Sequence, residues 1–210
     1  ARVDERAALP ADQRPDDLIT LLVETEIDGE PLDRRHLLGT CFLLLLAGID
    51  TTWSAIGSSL WHLATHPEDQ ARLRAEPDLI DSAVEELLRV YSPVTMAREV
   101  IADVDVAGCP MKPGDKVLMS FPAANRDPAQ FENPDEFIID RERNRHVAFG
   151  SGIHRCLGSN LARMELRVAI QEWLTRIPTF ELADPAAVTW TGGQVRGPRT
   201  IPVRWSATQP

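Results

Sequence analysis

Residues 149–158 read Phe-Gly-Ser-Gly-Ile-His-Arg-Cys-Leu-Gly and form the most informative segment of the chain. Cys156 precedes a run with helical periodicity, so the sulfur is expected at a helix start, where unpaired N–H groups and the helix dipole favour a thiolate. The surrounding glycines let the backbone approach a flat ligand closely, and Phe149 can pack against the sulfur. Taken alone, a single cysteine is more often an inert buried residue.

Composition and charge indicate a soluble globular chain. Of 210 residues, 43% are hydrophobic and 26% are charged, and this length can bury one substantial core. The formal net charge of -10 argues against nucleic acid as a partner. Cys41, Cys109 and Cys156 lie far apart, outside any C-x-x-C pattern, which favours a reducing cytoplasm over a disulfide framework or a zinc site. No signal-peptide core precedes Leu18, but the chain does not begin with Met, which leaves an upstream membrane anchor open.

A long uncharged segment predicts a buried helix. The helical pattern begins near Asp33 and continues to about Thr65, where a proline follows. The uncharged run Leu37–Ile49 has 13 residues, fewer than the ~20 that a membrane-spanning helix needs. The small polar residues that follow are also poorly suited to lipid. A helix that is apolar on all sides and too short to span a bilayer is expected in a core.

The remaining pattern predicts further helices with small β-sheets. Alternation from Val100 to Val106, then a turn at Pro113–Gly114 and the run Val117–Met119, predicts one β-hairpin. Residues 121–148 are predicted to be irregular, and the tail to form short strands and turns. Helices are expected over about 18–23, 68–75, 79–90 and 157–176, the last with Leu161, Met164, Val168 and Trp173 on one face.

The cysteine segment resembles the haem-binding loop of the cytochrome P450 family, F-G-x-G-x-H-x-C-x-G. The matching residues are Phe149, Gly150, Gly152, His154, Cys156 and Gly158. The resemblance, closest to the soluble bacterial branch, implies a mainly α fold with small β-sheets and a haem b held by the Cys156 thiolate. Such a thiolate pushes electron density towards the iron and favours O–O cleavage.

Two further sets of residues match the family in the expected order. Glu86 and Arg89 resemble the E-x-x-R motif, and Arg141 corresponds to the third member of a buried structural clamp. Taken alone, an acid and a base three residues apart are usually a solvated surface pair. Arg98 stands at the family's spacing for a residue that, with His154, neutralises the haem propionates. A strand-edge surface arginine is the alternative for Arg98, and His146 is interpreted as structural.

The segment Ala47-Gly48-Ile49-Asp50-Thr51-Thr52 resembles the family's oxygen-activating motif. The resemblance places Ala47 and Gly48 against the haem, with Gly48 leaving room for dioxygen. Thr51 would hydrogen-bond the dioxygen, and Asp50 would help to deliver protons. Two alternatives remain: Thr51 bonds back to the Ala47 carbonyl, or Asp50 pairs with a cation.

The resemblance predicts a monooxygenase that hydroxylates an apolar small molecule with dioxygen and electrons from a ferredoxin or flavodoxin-type partner. Family topology suggests that Ala47, Thr51, Val94, Thr95, Met96 and Gly193–Val195 face the substrate. The alternatives are a non-catalytic haem-binding or scaffold protein and a peroxide-driven enzyme, and the intact Asp50–Thr51 pair argues against both. A cytoplasmic location is expected.

The matched region corresponds to the C-terminal half of a family member. Residues 1–210 are therefore expected to form a single partial domain that lacks the N-terminal half. No tryptophan in the chain belongs to the W-x-x-x-R motif, which supplies a further propionate contact in the family. We expect the 210-residue chain alone to be inactive, with the apolar run Leu37–Ile49 facing water.

Overall fold

The computed structural model describes residues 2–205, and the chain divides into two compact units, Ala1–Ile49 and Asp50–Pro210. Helices dominate both units. The helices are α1 (Arg2–Ala8), α2 (Leu18–Val23), α3 (Arg34–Thr65), α4 (Pro67–Ala75), α5 (Ile80–Val90), α6 (Phe121–Ala124) and α7 (Ser159–Arg176). The strands are β1 (Glu26–Ile27), β2 (Glu30–Pro31), β3 (Met96–Glu99), β4 (Val104–Val106), β5 (Cys109–Met111), β6 (Lys116–Met119), β7 (Phe180–Leu182), β8 (Thr189–Thr191), β9 (Gly197–Thr200) and β10 (Val203–Trp205).

The first unit is built from short elements that precede the long helix. Asp17 caps α2, because its side chain accepts hydrogen bonds from two backbone N–H groups of the first turn. Arg6 donates to the same carboxylate at 2.5 Å and so links α1 to α2. Asp28 and Gly29 have φ values of 56° and 81° and form the turn between β1 and β2. β1 and β2 therefore form a small hairpin between α2 and α3.

α3 has the bounds that the sequence predicts, but its first half is not buried. The prediction that Leu37–Ile49 is a core helix is wrong for the described part of the chain, because no described element covers most of its side chains. By length and composition α3 is also the one helix among residues 2–205 that could cross a membrane, a criterion that core helices of soluble proteins also meet. The exposed side chains are Leu38, Phe42, Leu43, Leu44, Leu45, Leu46, Ile49 and Trp53.

The second unit has a core formed by the C-terminal half of α3 together with α4, α5 and α7. Leu63 of α3 and Ala83 of α5 are completely buried within it. Leu166, Ile170 and Leu174 form the buried stripe of α7, each one turn from the next. Of the four residues predicted to share one face of α7, Leu161, Met164 and Val168 are exposed, and Trp173 packs against the core.

Short antiparallel strand pairs surround this core. The predicted hairpin is wrong: β4 pairs with β5 through a turn at Ala107–Gly108, whereas β3 pairs with β6. The side chain of Asp105 accepts a hydrogen bond from the Gly108 N–H at 2.8 Å and stabilises the tight turn. Pro113–Gly114 forms a second turn, which connects β5 to β6. Residues 100–119, which the alternating pattern predicts to form one hairpin, therefore contain two turns.

Candidate active site

The Cys156 loop, residues 149–158, is shaped by glycine and ends just before α7. Gly150 and Gly152 have φ values of 70° and 69°, a conformation that other residues rarely adopt. A single 3₁₀ turn follows at Gly152–His154. The Cys156 N–H donates to the Phe149 carbonyl at 2.9 Å, which closes the loop. The first helical residue is Ser159, so Cys156 lies in the turn before the helix, slightly farther from it than the sequence predicts.

The side chains at the tip of this loop point away from the core. Cys156 and His154 are exposed, Ile153 is 97% exposed and Leu157 is 89% exposed. Within residues 2–205, neither the Cys156 thiol nor the His154 imidazole takes part in a hydrogen bond or ion pair. A thiol flanked by exposed apolar side chains, on a backbone that glycine holds open, fits a flat apolar group with a metal that accepts sulfur.

Behind the loop, Phe149 rests on a charged network. The guanidinium of Arg163 lies 4.6 Å from the centre of the Phe149 ring. Arg163 donates two hydrogen bonds to Glu85, of 2.6 and 3.0 Å, and His146 lies 3.0 Å from the same carboxylate. Burial alone would raise the pKa of Glu85, but the hydrogen bonds from His146 and Arg163 outweigh it and lower the pKa to about 2. The underside of the loop is thus fixed by an ionised carboxylate.

The residue after Glu85 forms the centre of a buried ionic cluster. Glu86 and Arg89 are fully buried and make two hydrogen bonds of 2.8 Å with each other. Arg141 donates to both Glu86 oxygens at 3.0 Å, and Asn144 and the Ile138 N–H donate to the same carboxylate. Burial would raise the pKa of Glu86, but these hydrogen bonds keep it below its usual value. The structure therefore brings together the three residues of the expected clamp.

Residues 121–148, predicted to be irregular, begin with the short helix α6 and contain no further helix or strand. The cluster also organises this segment. Arg89 donates to the carbonyls of Asn125, Pro134 and Glu136 at 2.6–2.9 Å. The Asn125 side chain accepts a hydrogen bond from the Val147 N–H at 2.7 Å, two residues before Phe149. Chain segments without regular structure must find other partners for their backbone groups. The cluster supplies such partners and connects α5 to the base of the Cys156 loop.

The second candidate motif lies on α3. Asp50 accepts a hydrogen bond from Arg199 of β9, with 2.8 Å between Oδ1 and Nη1. Pairing with a cation is one of the alternatives left open by the sequence, and Arg199 is that cation. Thr51 is partly buried and has an interaction of its own. Ala47 and Gly48 are exposed, and a side chain added at Gly48 would meet open space.

Comparison with known proteins agrees with these features. The family model described as cytochrome P450 matches residues 2–185. The chain belongs to the cytochrome P450 family. The predicted resemblance and the mainly helical fold with small sheets are thereby confirmed. P450s are monooxygenases, and the family implies a haem iron with a cysteine thiolate ligand.

Individual P450s match almost the whole of this chain. It is 39% identical over 206 residues to the probable cytochrome P450 127A1 of Sinorhizobium fredii, covering 98% of this chain and 50% of that protein. The crystal structure of CYP101C1 is 41% identical with a TM-score of 0.90, covering 98% of this chain and 52% of that one. CYP109E1 of Bacillus megaterium, crystallised with testosterone, is 33% identical with a TM-score of 0.90 and covers 98% and 57%. The chain spans about half the length of these P450s.

Two of the segments suggested to face a P450 substrate, residues 94–96 and 193–195, come together from distant parts of the sequence. Val94 and Val195 form an isolated antiparallel bridge. The Thr95 N–H donates to the Gln194 carbonyl at 2.9 Å, and the Gln194 amide lies 3.4 Å from the Met96 sulfur. Of these residues, Val94, Thr95, Met96 and Val195 are partly exposed, and Gly193 and Gln194 are exposed.

Arg98 lies on β3, and its side chain hydrogen-bonds the Ala97 carbonyl at 2.8 Å. It remains partly exposed, so the guanidinium has donors available to a further anion.

Sequence reasoning missed the roles of Glu85, Arg163 and Arg199. Glu85 could have been singled out because it directly precedes Glu86 of the E-x-x-R motif. Arg163 and Arg199 belong to no pattern that the sequence alone indicates.

Proposed function

We propose that this chain carries the oxygen-activating chemistry of a haem-thiolate monooxygenase, with Cys156 as the axial ligand. The observation that carries the proposal is the Cys156 loop, which presents an exposed thiol within the family's haem-binding motif. Haem b, when bound, supplies redox chemistry and a site for dioxygen. The reaction inserts one oxygen atom into a substrate C–H bond and releases the other as water, consuming two electrons and two protons.

Several residues of this chain would hold the haem. Phe149, Gly150 and Gly158 shape the proximal surface, and a side chain at Gly158 would lie 4.0 Å from the Cys156 sulfur. On α3, Ala47 and Gly48 offer the small surface that the motif requires. We propose that Arg98 and His154 neutralise the haem propionates, because both can donate charge-assisted hydrogen bonds to carboxylates.

Asp50 and Thr51 are proposed to move protons. A carboxylate at position 50 can take a proton from solvent, and the hydroxyl at position 51 can pass one on. Glu86, Arg89 and Arg141 are assigned the structural role of holding segment 121–148 below the Cys156 loop. They do not take part in the reaction.

We propose an apolar small molecule as the substrate. Val94, Met96 and Val195 are apolar, and a related P450 has been crystallised with testosterone. Electrons would come from a ferredoxin or flavodoxin-type partner. A cytoplasmic location fits the bacterial relatives. The alternatives are a non-catalytic haem-binding or scaffold fragment and a peroxide-driven enzyme, and the Asp50–Thr51 pair favours the monooxygenase over both.

The 210-residue chain alone is proposed to be inactive and to form only part of a P450 domain. The matched relatives are about twice as long, and the exposed apolar side chains of α3 would cause aggregation or partnering. The completed enzyme is defined as a haem-loaded protein in which residues 1–210 are joined to, or supplied with, the N-terminal half that we propose they lack. A soluble, cooperatively unfolding monomer of residues 1–210 that turns over substrate would refute this proposal.

The functional proposal is tested by Thr51→Ala in the completed enzyme, with Thr52→Ala as the matched control on the next residue of α3. We expect Thr51→Ala to divert electrons from product to peroxide, because one hydroxyl in proton delivery is lost. Product formed per electron consumed should fall several-fold in Thr51→Ala and stay near the wild-type value in Thr52→Ala. An unchanged ratio in Thr51→Ala would favour the non-catalytic or peroxide-driven alternative.

A further inference from the structure

The C-terminal strand β9 lies directly on α3, because small residues meet at the crossing. A Cβ atom added at Gly197 would overlap the side chain of Ser54. At the next residue of the strand, Pro198 Cγ would lie 3.0 Å from a Cβ added at Gly57. Gly197 leaves no room for a larger side chain, and one at Gly57 would require Pro198 to shift by a few tenths of an ångström. Glycine at both positions therefore allows the strand to approach the helix closely.

This crossing aligns Arg199 with Asp50. Arg199 is two residues after Gly197, at most about 6.6 Å further along the strand. The pairing of β8 with β9 shifts by one residue at Arg199, and its side chain reaches Thr191 and Asp50. Asp50 is four residues before Ser54, so both lie on the same face of the helix, about 6 Å apart along its axis. The two steps are nearly equal. Contact between Gly197 and Ser54 consequently places the guanidinium beside the carboxylate, with 2.8 Å between Nη1 and Oδ1.

The guanidinium of Arg199 is held on a second side as well. Its Nε donates to the hydroxyl of Thr191 on β8 at 3.1 Å, and this hydroxyl donates to the Gly197 carbonyl at 3.3 Å. The planar group is therefore fixed between two strands and the helix. Among residues 2–205, Arg199 is the hydrogen-bond partner of the Asp50 side chain, and it engages Oδ1 alone. The Asp50 side chain is partly exposed to solvent, and no hydrogen bond to Oδ2 is described among these residues.

We infer that Arg199 is a positioning residue for proton delivery by Asp50, an inference that rests on the proposed role of this acid. The ion pair fixes one carboxylate oxygen and so determines where the other one lies. Both side chains are partly exposed, so a carboxylate without this partner would move among several rotamers. Proton transfer needs donor and acceptor within hydrogen-bond reach, and a mobile carboxylate meets that condition less often. Electrons would then leave as peroxide.

The test is a double-mutant cycle in the completed enzyme with Asp50→Asn, Arg199→Gln and the double variant. We expect Arg199→Gln to lower product per electron several-fold and Asp50→Asn at least as much. The double variant should behave like Asp50→Asn alone, because Arg199 acts only through Asp50. The control is Arg204→Gln, which removes an exposed ion pair with Glu181 on neighbouring strands and should leave the ratio unchanged.

A second readout does not depend on turnover. The carboxylate band of Asp50, assigned by difference infrared spectra against Asp50→Asn, should shift in Arg199→Gln and stay in place in Arg204→Gln. Arg199→Lys keeps the charge but loses the fork that reaches Thr191, so it should recover only part of the product ratio. This variant also replaces Arg199→Gln in the cycle if the latter fails to take up haem.

The outcomes separate this inference from the function on which it rests. If Asp50→Asn lowers the product ratio and Arg199→Gln does not, or if their effects add in the double variant, Arg199 is not a positioning residue for Asp50. An unshifted carboxylate band in Arg199→Gln would also overturn the inference. If Asp50→Asn itself leaves the ratio unchanged, the proposed role of Asp50 fails, and the inference fails with it.

Discussion

The buried cluster around Glu86 includes Asn144, which is five residues before the Cys156 loop begins. The two regions differ in how their polar groups are satisfied. Both oxygens of Glu86 are occupied by donors from Arg89, Arg141, Asn144 and the backbone. In the loop, the Cys156 thiol has no such partner within residues 2–205, and its apolar neighbours are exposed. Buried polar groups are normally satisfied inside a protein. We therefore propose that the cluster serves folding, whereas the loop presents its groups to a ligand.

The chain passes from hydrogen-bonded, buried residues to the exposed tip of the loop within a few residues. Val147 is tied to Asn125 by a hydrogen bond, and Ala148 is buried in the core. Phe149 packs against Arg163, and the exposed tip follows at once. Residues 147–149 are thus held by contacts with the rest of the protein, and the loop tip that follows them is exposed. If this comparison is right, substitutions in the cluster should affect stability, and substitutions at the tip should affect cofactor binding.

The largest effect is expected for Glu86→Gln, which leaves two buried arginines without their carboxylate. Removing one partner of a buried ion pair typically costs about 3–5 kcal/mol. The free energy of unfolding of the completed enzyme, from denaturant titration, measures this cost. Glu181→Gln is the matched control, because its ion pair with Arg204 is exposed on both sides and should contribute about 0–1 kcal/mol. Equal losses in the two variants would remove the distinction between cluster and surface.

The sequence predicted the parts of this arrangement that depend on local pattern. Glycines and a cysteine at fixed spacing identified the loop, and the E-x-x-R pair with Arg141 identified the cluster, although Glu86 and Arg141 are 55 residues apart. Charge and periodicity also placed both ends of α3. These features were accessible because each is encoded by residue types at short spacing or by a specific family motif.

What the sequence could not predict depends on packing between distant elements. Asp50 and Arg199 are separated by 149 residues, and their pairing follows from the way β9 crosses α3. The hairpin was wrong because the Asp105–Gly108 turn divides the alternating run. The sequence could not show which face of α7 is buried, because apolar residues lie on several of its sides. The apolar pattern alone predicted that Leu37–Ile49 is buried, whereas the expectation that this run faces water in the 210-residue chain came from the resemblance.

An intermediate effect on stability is expected at a second buried polar group, His62. Its protonation should make the free energy of unfolding depend on pH. His62 lies 2.8 Å from the Tyr91 hydroxyl and 2.9 Å from Asp69 Oδ2. Burial, together with a smaller effect of the neighbouring His66, lowers the pKa of His62 from 6.5 to about 3. The unfolded chain therefore binds a proton below pH 6.5 that the folded chain excludes, so stability falls as the pH falls from 6.5 towards about 3.

The size of this effect is at most about 1.4 kcal/mol per pH unit. We expect it as the difference in slope between the wild-type enzyme and His62→Asn, in unfolding free energies measured from about pH 6.5 down to pH 5.5, above the range in which carboxylates titrate. The control, His36→Asn, removes an exposed histidine of α3. Parallel curves for the wild type and His62→Asn would show that His62 is protonated in the folded state.

The smallest effect on stability is expected at the tip of the loop. Cys156→Ala, measured in the haem-free polypeptide of the completed enzyme, should change the free energy of unfolding by no more than about 0.5 kcal/mol, because the thiol is exposed. Denaturant titration of this variant beside Glu86→Gln compares the two regions directly. A loss at Cys156 close to that at Glu86 would mean that the loop is part of the folding core.

The central claim is that Cys156 binds the iron, and the spectrum of the haem-loaded completed enzyme tests it most directly. Cys109→Ala is the matched control, because Cys109 is also exposed but lies on a strand, and Cys41→Ala removes the remaining cysteine. We expect the absorption and electron paramagnetic resonance signals of thiolate ligation in the wild type, Cys41→Ala and Cys109→Ala, and their complete loss in Cys156→Ala. Unchanged thiolate signals in Cys156→Ala would contradict the account.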